Sequence, residues 1–256
     1  MTPRNENRPP ILSQQHPPIP RHGVKVAKLS LPRRLLKAVH PEGIPWPGTA
    51  VYNLVSTTSI FQRHYDLIAR DILSYCSQGS ILDIGTGPGW LLVKLHQLSP
   101  GIRGTGVDAS PSMVAKARKN IAKAGLSGMI EVLEGKASHL PFADGSFDAV
   151  VSTGSIHHWK DPTAGLNEAY RVLKDGRYAL MYDLVSDTPP AVLEQVAREF
   201  GRLKMMFLWL HAFEEPFYSQ KEFELLVRPT LFEKDRTRFV GVLCCLVLKK
   251  GAKNIQ

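Results

Sequence analysis

The sequence predicts an α/β fold in which helices cover both faces of a mostly parallel sheet. Two observations predict it: short apolar runs alternate with amphipathic segments of helical length, and the chain nears its end on another apolar run, FVGVLCCLVLKK (239–250), that suits a buried final strand. Strands and helices that alternate at these lengths are joined by right-handed crossovers, which makes the strands parallel. The 256 residues are enough for one substantial core, so we expect one catalytic-size domain.

Five apolar runs in the middle of the chain have the length and composition of buried strands. Each is short, and each is followed by a turn or by an amphipathic segment. The predicted strands are SILDI (80–84), IRGTGVD (102–108), MIEVLEG (129–135), FDAVVST (147–153) and YALMYDL (178–184).

The segments around these strands carry the start and stop signals of helices. SPSMVAKARKNIAKAGL has Ser110 as its N-cap, Pro111 at the first helical position and Gly125 past the end. Further helices are predicted over GWLLVKLHQL (89–98), over TAGLNEAYRVL (163–173) after Asp161 and Pro162, and before the first strand, where Phe61, Tyr65, Leu67, Ile68 and Ile72 have helical spacing. The Asp175-Gly176 pair directly after TAGLNEAYRVL (163–173) suits a turn.

The two ends of this α/β region differ from it in composition. Residues 1–45 contain nine of the 19 prolines and little apolar periodicity, so we expect a flexible, basic, proline-rich arm. Residues 46–256 are expected to form the folded domain, with a small helical cap at about 185–225. In the helical pattern of residues 189–213, Met205, Met206, Phe207 and Trp209 either pack in the core or line a pocket.

The formal charge of +9 is concentrated at the ends of the chain. Residues 1–45 carry +6 and the last eight residues carry +3, which leaves residues 46–248 neutral. A nucleic-acid partner is therefore expected only if the arm binds it. Three cysteines without metal-ligand spacing, no signal-peptide core and no apolar stretch of membrane length favour a cytoplasmic protein with no membrane insertion and no metal site.

The stretch ILDIGTGPGW places Gly85, Gly87 and Gly89 directly after the first strand. Glycine tolerates positive φ and lets a ligand approach the main chain, and the helix that follows offers unpaired N–H groups. A dinucleotide fingerprint would need glycine where Trp90 stands, and a phosphate-loop NTPase would need Gly-Lys-Ser/Thr after the loop. Both of these ligand classes are excluded.

The segment from Asp83 to Gly89, DIGTGPG, resembles the first motif of class I S-adenosylmethionine-dependent methyltransferases. GTGVDAS, GKASHLPFADGSFDAVVSTGSIHHWKDP and EAYRVLKDGRYALMYDL follow in the same order, and residues 60–184 are similar to the quinone-biosynthesis C-methyltransferases (methyltransferase type 11). The resemblance implies a Rossmann-like three-layer sandwich with a mostly parallel seven-stranded sheet and an antiparallel last strand. It also implies S-adenosyl-L-methionine as cofactor and in-line methyl transfer to a small-molecule acceptor. The apolar and aromatic content of residues 45–65 and 185–225 predicts that these two segments enclose the acceptor.

The resemblance implies a role for each residue that matches the family pattern. Toward the methionyl end of the cofactor, the loop residues Gly85, Thr86, Gly87 and Gly89 hold it, and Asp83 orders the loop and helps to receive the ammonium. Toward the nucleoside, Asp108 binds the ribose, Ala109 and Met113 contact the adenine, and Ala137 offers the adenine a main-chain N–H. Ser152 and Thr153 lie beneath the sulfonium. Lys136 stands where the family usually carries an aspartate that accepts from the adenine amine, and lysine has no acceptor. Either a carbonyl or water replaces that acceptor, or cofactor affinity is reduced, or the function has drifted.

A general base is needed only if the acceptor must lose a proton. The candidates are His157 and His158 in SIHHW, Tyr182, and His211. Imidazole titrates near neutrality, so His157 is the predicted catalytic residue, although both histidines of the pair could instead pack and cap the next turn. Methylation of exocyclic amines is not indicated, because Ser152-Thr153-Gly154-Ser155 stands where an Asn-Pro-Pro-Tyr-like segment is expected.

Two alternative functions stay open. One is methylation of RNA or protein, with residues 1–45 docking onto phosphates or an acidic surface. The other is a non-catalytic cofactor-binding factor, which Lys136 and the absence of a compelling base both suggest.

Overall fold

The computed structural model describes residues 59–200 and 217–252, without the side chains of residues 59, 60 and 200. The predicted arm of residues 1–45 lies outside the described residues, as do His211 and the segment from Met205 to Trp209. Of the cap predicted for about 185–225, the structure describes residues 185–200 and 217–225.

Within the described ranges, seven strands form one mixed sheet in the order β3-β2-β1-β4-β5-β7-β6. Strands β1 to β5 are parallel, and β7 runs antiparallel to both β5 and β6. The predicted mostly parallel seven-stranded sheet with an antiparallel last strand is confirmed. The strands are β1 (Gly79–Ile84), β2 (Ile102–Asp108), β3 (Ile130–Glu134), β4 (Phe147–Thr153), β5 (Leu173–Asp183), β6 (Glu233–Val240) and β7 (Leu243–Lys249).

Helices pack on both faces of this sheet and begin where the sequence signals indicate. Asp161 caps one helix by accepting a hydrogen bond from Ala164 N at 2.9 Å, and Gly125 takes φ of +72° just past the end of another. The helices are α1 (Ser59–Leu73), α2 (Trp90–Leu98), α3 (Pro111–Lys123), α4 (Pro162–Val172), α5 (Pro190–Phe200) and α6 (Gln220–Leu225), with a 3₁₀ turn at Ile156–His158. None of these described helices is long and apolar enough to cross a membrane.

The central strands are buried on both faces, which explains why they read as continuous apolar runs. In β5, Leu180 and Tyr182 pack into one hydrophobic cluster and Met181 packs into the other. In β7, Cys245 and Cys244 divide between the same two clusters. Successive side chains of a strand point to opposite faces, so a strand covered by helices on both sides needs apolar residues at every position.

The predicted final strand of residues 239–250 is wrong in one respect, because that run contains a hairpin turn. Phe239 and Val240 end β6, Gly241 takes φ of +57°, and β7 begins at Leu243. The rest of β6, EKDRTR, is polar and lies at the edge of the sheet. Edge strands carry charged residues, so this strand has no apolar pattern to reveal it.

The predicted turn at Asp175-Gly176 is also replaced, because α4 leads directly into a longer β5 that starts at Leu173. The pairing register with β4 shifts between the Phe147 and Ala149 positions, so residues 174–177 form an irregularity inside the strand. Gly176 lies there with φ of +73°.

Candidate functional site

A cavity of about 260 Å³ lies at the carboxyl ends of β1, β2, β4 and β5. The strand order reverses between β1 and β4, and open α/β sheets bind ligands at such switch points. The glycine loop, the residues after β2 and β3, and the turn after β4 all contribute to its wall.

The glycine loop after β1 needs its glycines for conformation and for packing against the rest of the protein. Gly85, Gly87 and Gly89 take φ of +77°, +53° and +78°. A Cβ on Gly85 would overlap the side chain of Ser155, and a Cβ on Gly89 would lie 3.2 Å from that of Ala117. The space left free at these two positions is therefore filled by neighbouring side chains.

Asp108, at the end of β2, holds the glycine loop through the main chain. Its Oδ2 accepts a hydrogen bond from Gly87 N at 2.8 Å, and its Oδ1 accepts one from Ser110 N at 2.9 Å. Asn120 of α3 fixes the same loop by donating from Nδ2 to Pro88 O at 2.9 Å. Each carboxylate oxygen keeps a further lone pair, so Asp108 can also accept from ligand hydroxyl groups.

Asp83, the carboxylate within β1, is 2% exposed. Burial raises its pKa to about 7, and the neighbouring Asp108 carboxylate adds to the shift. Among the described residues, its buried Oδ1 has no hydrogen-bond partner. A buried carboxylate oxygen without a partner is costly, and it fits a cationic ligand group such as an ammonium.

The structure places most of the predicted cofactor residues on this one cavity wall: Asp83, Gly85, Thr86, Gly87, Asp108, Ala109, Met113, Lys136 and Ala137. Thr153 joins them, whereas Gly89 and Ser152 are not among the lining residues. Ser152 is fully buried inside β4. The cofactor contacts assigned to these residues stay predictions.

His157 and Asp183 form a buried pair at the edge of the cavity. His157 Nδ1 lies 2.8 Å from Asp183 Oδ1, and His157 N donates to Asp183 Oδ2 at 3.0 Å. Leu184 N also donates to Asp183 Oδ1, at 2.9 Å, so main-chain groups fix the carboxylate. A carboxylate can only accept, which puts the imidazole proton on Nδ1 and leaves Nε2 with a lone pair.

Two further predicted bases have different places in the structure. His158 also lines the cavity, with its ring centroid 4.0 Å from that of His157. Tyr182 is fully buried and is not among the cavity residues, and its hydroxyl donates to Asp71 Oδ2 at 2.6 Å. Burial raises the pKa of Tyr182 well above its usual value, so the structure removes it as a candidate base.

The remaining cavity wall is mostly apolar and comes from segments far apart in the chain. It includes Phe61 and Tyr65 of α1, Leu184 after β5, Phe217, and Val242 of the β6–β7 turn. Phe61, Tyr65 and Phe217 fall in the two segments expected to enclose the acceptor, whereas sequence reasoning missed Val242 and Asp183. Asp183 ends its strand as Asp108 ends β2, which is a signal that could have indicated it.

Comparison with known proteins agrees with this geometry. A family model described as a methyltransferase domain matches residues 82–181. The demethylmenaquinone methyltransferase of Chlorobaculum tepidum is 32% identical over 177 residues, which cover 65% of this chain and 70% of that enzyme.

Other matches are shorter or more distant. The rice 2-methyl-6-phytyl-1,4-hydroquinone methyltransferase 1 is 38% identical over 108 residues, 42% of this chain but only 32% of that enzyme's length. The crystal structure of a Methanococcus maripaludis protein described as an S-adenosyl-L-methionine-dependent methyltransferase superposes with a TM-score of 0.61 at 22% identity, covering 82% of this chain and 94% of that one. At that identity the structural likeness establishes the fold alone.

Proposed function

Because the chain belongs to the class I S-adenosylmethionine-dependent methyltransferases, we propose that it methylates an apolar small molecule that carries a dissociable hydroxyl group. The observation that carries this proposal is the His157–Asp183 pair, which lies beside the same cavity as the glycine loop.

The cavity residues in and after β1 and β2 fit S-adenosylmethionine. The unpartnered Oδ1 of Asp83 suits its ammonium group, the spare lone pairs of Asp108 suit its ribose hydroxyls, and Ala109 and Met113 offer an apolar surface to its adenine. When bound, the cofactor supplies an electrophilic methyl group. The contacts follow the roles that the family resemblance implies.

His157 has the geometry of a general base. Asp183 holds the proton on Nδ1, so Nε2 can accept a proton from an acceptor hydroxyl and store it as imidazolium beside the carboxylate. Loss of that proton makes the acceptor oxygen, and the ring carbons ortho to it, nucleophilic. The side chains around His157 place the acceptor and exclude water, because Phe217 packs on the imidazole with ring centroids 4.6 Å apart.

The chemistry of the wall selects the acceptor class. Phe61, Tyr65, Leu184 and Phe217 provide flat or apolar contacts suited to an aromatic ring. One relative is named for a 1,4-hydroquinone and another for a demethylmenaquinone, a quinone. A hydroquinone-type acceptor is therefore the class we propose.

We further propose that residues 46–256 form the catalytic domain and that residues 185–225 cap the acceptor end. The cytoplasm is the proposed location, since the three cysteines predicted a reducing compartment and all three are free and buried in the structure. The alternatives of an RNA or protein acceptor and of a non-catalytic role stay predictions that the following experiment separates.

The test is an assay of the full chain with S-adenosylmethionine labelled in its methyl group and a prenylated 1,4-hydroquinone kept reduced. We expect a methylated hydroquinone by mass spectrometry, at a rate that His157→Ala lowers and that His139→Ala does not. His139 is an exposed histidine that is not among the cavity residues, so it is a matched control. Label that enters RNA or protein but never the hydroquinone would contradict the proposal.

A further inference from the structure

A second histidine, His64, lies on the acceptor side of the cavity. It belongs to α1, and the residues of that helix on the cavity wall are Phe61, His64, Tyr65 and Ile68. Residues three and four apart on a helix share a face, so α1 presents one face to the cavity. That face is apolar and aromatic apart from the imidazole.

The His64 ring is held against the turn between β6 and β7. A Cβ built on Gly241 would lie 2.5 Å from His64 Cε1, 3.1 Å from Nδ1 and 3.3 Å from Nε2. Only glycine leaves room for the imidazole there, and Val242 and Leu243 of the same turn line the cavity. The hairpin that the sequence did not reveal therefore forms the seat of His64.

The imidazole of His64 is neutral near pH 7. Burial lowers its pKa to about 4, against a weaker opposing effect from the Glu199 carboxylate on α5. A neutral imidazole has one donor nitrogen and one acceptor nitrogen, so it can hydrogen-bond a hydroxyl or a carbonyl without bringing a charge into an apolar wall.

We propose that His64 is a specificity-determining residue that hydrogen-bonds a second oxygen of the acceptor, while His157 takes the proton from the first. This inference rests on the proposed function, since it assumes a hydroxylated aromatic acceptor in this cavity. The two histidines come from different walls, one from α1 and one from the turn after β4. An acceptor with two oxygens engages both, whereas an acceptor with one leaves His64 facing an apolar group.

A site built to hydrogen-bond a substrate oxygen rejects analogues that lack it, because the protein group loses its partner in the complex. The apolar residues beside His64 cannot provide this discrimination, since hydrophobic pockets accept a missing polar group readily. We therefore expect the wild-type chain to prefer a dihydroxy acceptor over the matching monohydroxy compound by roughly tenfold to a hundredfold in kcat/KM.

The experiment compares two acceptors in the full chain: a prenylated 1,4-hydroquinone and the phenol with the same ring and prenyl chain but without the second hydroxyl. His64→Phe should lower kcat/KM for the hydroquinone and should not lower it for the phenol, so that the hydroquinone is no longer the preferred acceptor. His64→Gln, which keeps hydrogen-bonding capacity, should recover part of the preference. His139→Phe, an exposed control that is not among the cavity residues, should keep the wild-type preference.

Calorimetric binding of S-adenosylmethionine reports that each variant is folded. If His64→Phe does not bind the cofactor, the acceptor preference of His64→Gln is the test, and it should be smaller than that of the wild type. The inference is overturned if the wild-type chain shows no preference, if the preference survives in His64→Phe, if His64→Gln keeps the full wild-type preference, or if His64→Phe slows both acceptors equally. A wild-type chain that methylates neither acceptor overturns the proposed function itself, and that outcome is seen before any variant is made.

Discussion

The two halves of the cavity are built in different ways. The half proposed to bind the cofactor, called the cofactor half, is assembled from short segments after β1, β2 and β3. Main-chain groups hold it: Gly87 and Ser110 donate to Asp108, and Pro88 accepts from Asn120. The half proposed to bind the acceptor, called the acceptor half, is assembled from α1, the turn after β4, the end of β5 and the β6–β7 turn, and side chains form its surface.

This difference explains why only the cofactor half requires particular residue types at fixed spacing along the chain. Holding a loop by its main chain requires glycine or a short acceptor at fixed spacing, so the cofactor half leaves a motif. A wall of aromatic and apolar side chains requires only the right volume, so many sequences build it and no motif results. Variants of the two halves should accordingly separate cofactor affinity from transfer rate.

The largest separation is expected from His157→Ala. Removal of the base should lower the rate of methyl transfer by roughly a hundredfold to ten-thousandfold, because a positioned base contributes about that much. Cofactor affinity should stay at the wild-type value, since His157 lies with the acceptor half. Steady-state kinetics with the hydroquinone measures the transfer rate, and calorimetry measures cofactor affinity. An equal loss of rate and of affinity would contradict the assignment of His157 to the acceptor half.

Asp108→Ala should produce the opposite pattern. It removes the acceptor proposed for the ribose and leaves Gly87 N and Ser110 N without their partner, so we expect cofactor affinity to fall by roughly a hundredfold, or about 3 kcal/mol. Calorimetric titration measures it, with Asp144→Ala as control, because the Asp144 side chain is 81% exposed and is not among the cavity residues. Undiminished binding by the Asp108 variant would remove Asp108 from the cofactor site.

Asp83 predicts how cofactor affinity depends on pH. Its pKa is raised to about 7 in the free protein, mainly by burial, and the ionised carboxylate is the form that receives an ammonium. Affinity should therefore fall by up to about tenfold per unit as pH drops below about 7, as proton linkage requires. The stability of the free protein depends on pH in the opposite direction. The folded chain binds the Asp83 proton more tightly than the unfolded chain does, so the free energy of unfolding decreases as pH rises through about 7.

Calorimetry between about pH 5.5 and pH 7 checks this dependence. Asp83→Asn should bind more weakly than wild type and show a flat profile over that range. A wild-type profile that is already flat would show that Asp83 does not change its protonation state on binding.

The smallest effect is expected from Tyr182→Phe. The hydroxyl donates to Asp71 away from the cavity, so its loss should lower the free energy of unfolding by about 1 kcal/mol, the net value of a typical hydrogen bond. Asp71 keeps its ion pair with Arg238 at 2.7 Å. Urea denaturation measures the stability, and a marked drop in transfer rate would return Tyr182 to the list of candidate bases.

The sequence indicated that most residues of the proposed cofactor half lie together, because the structure of this half is local. Asp83, the glycine loop and Asp108 lie within one strand–helix–strand unit, so their spacing along the chain determines their proximity. The order of the motifs also indicated the parallel sheet, and the strand bounds at Ile102–Asp108 and Phe147–Thr153 are confirmed.

The sequence indicated segments and candidate bases of the acceptor half but not the contacts between them, because these residues meet only in three dimensions. The His157–Asp183 contact spans 26 positions, and His64 lies 177 positions before the glycine that seats it. Strand β6 escaped detection because a polar edge strand has no apolar pattern. Tyr182 was a candidate base because a continuous apolar run does not show which way a side chain points. The structure shows that the Tyr182 side chain is fully buried inside β5.

The central claim is that Asp183 orients His157 to take a proton from the acceptor. The most direct test is the pH profile of single-turnover methyl transfer by wild type and by Asp183→Asn, with cofactor affinity measured in parallel. The predicted result is a variant with wild-type cofactor affinity and a rate at neutral pH lower by roughly a hundredfold or more, which rises with pH as the acceptor hydroxyl ionises without help. A variant that transfers methyl at the wild-type rate with the wild-type pH profile would contradict it.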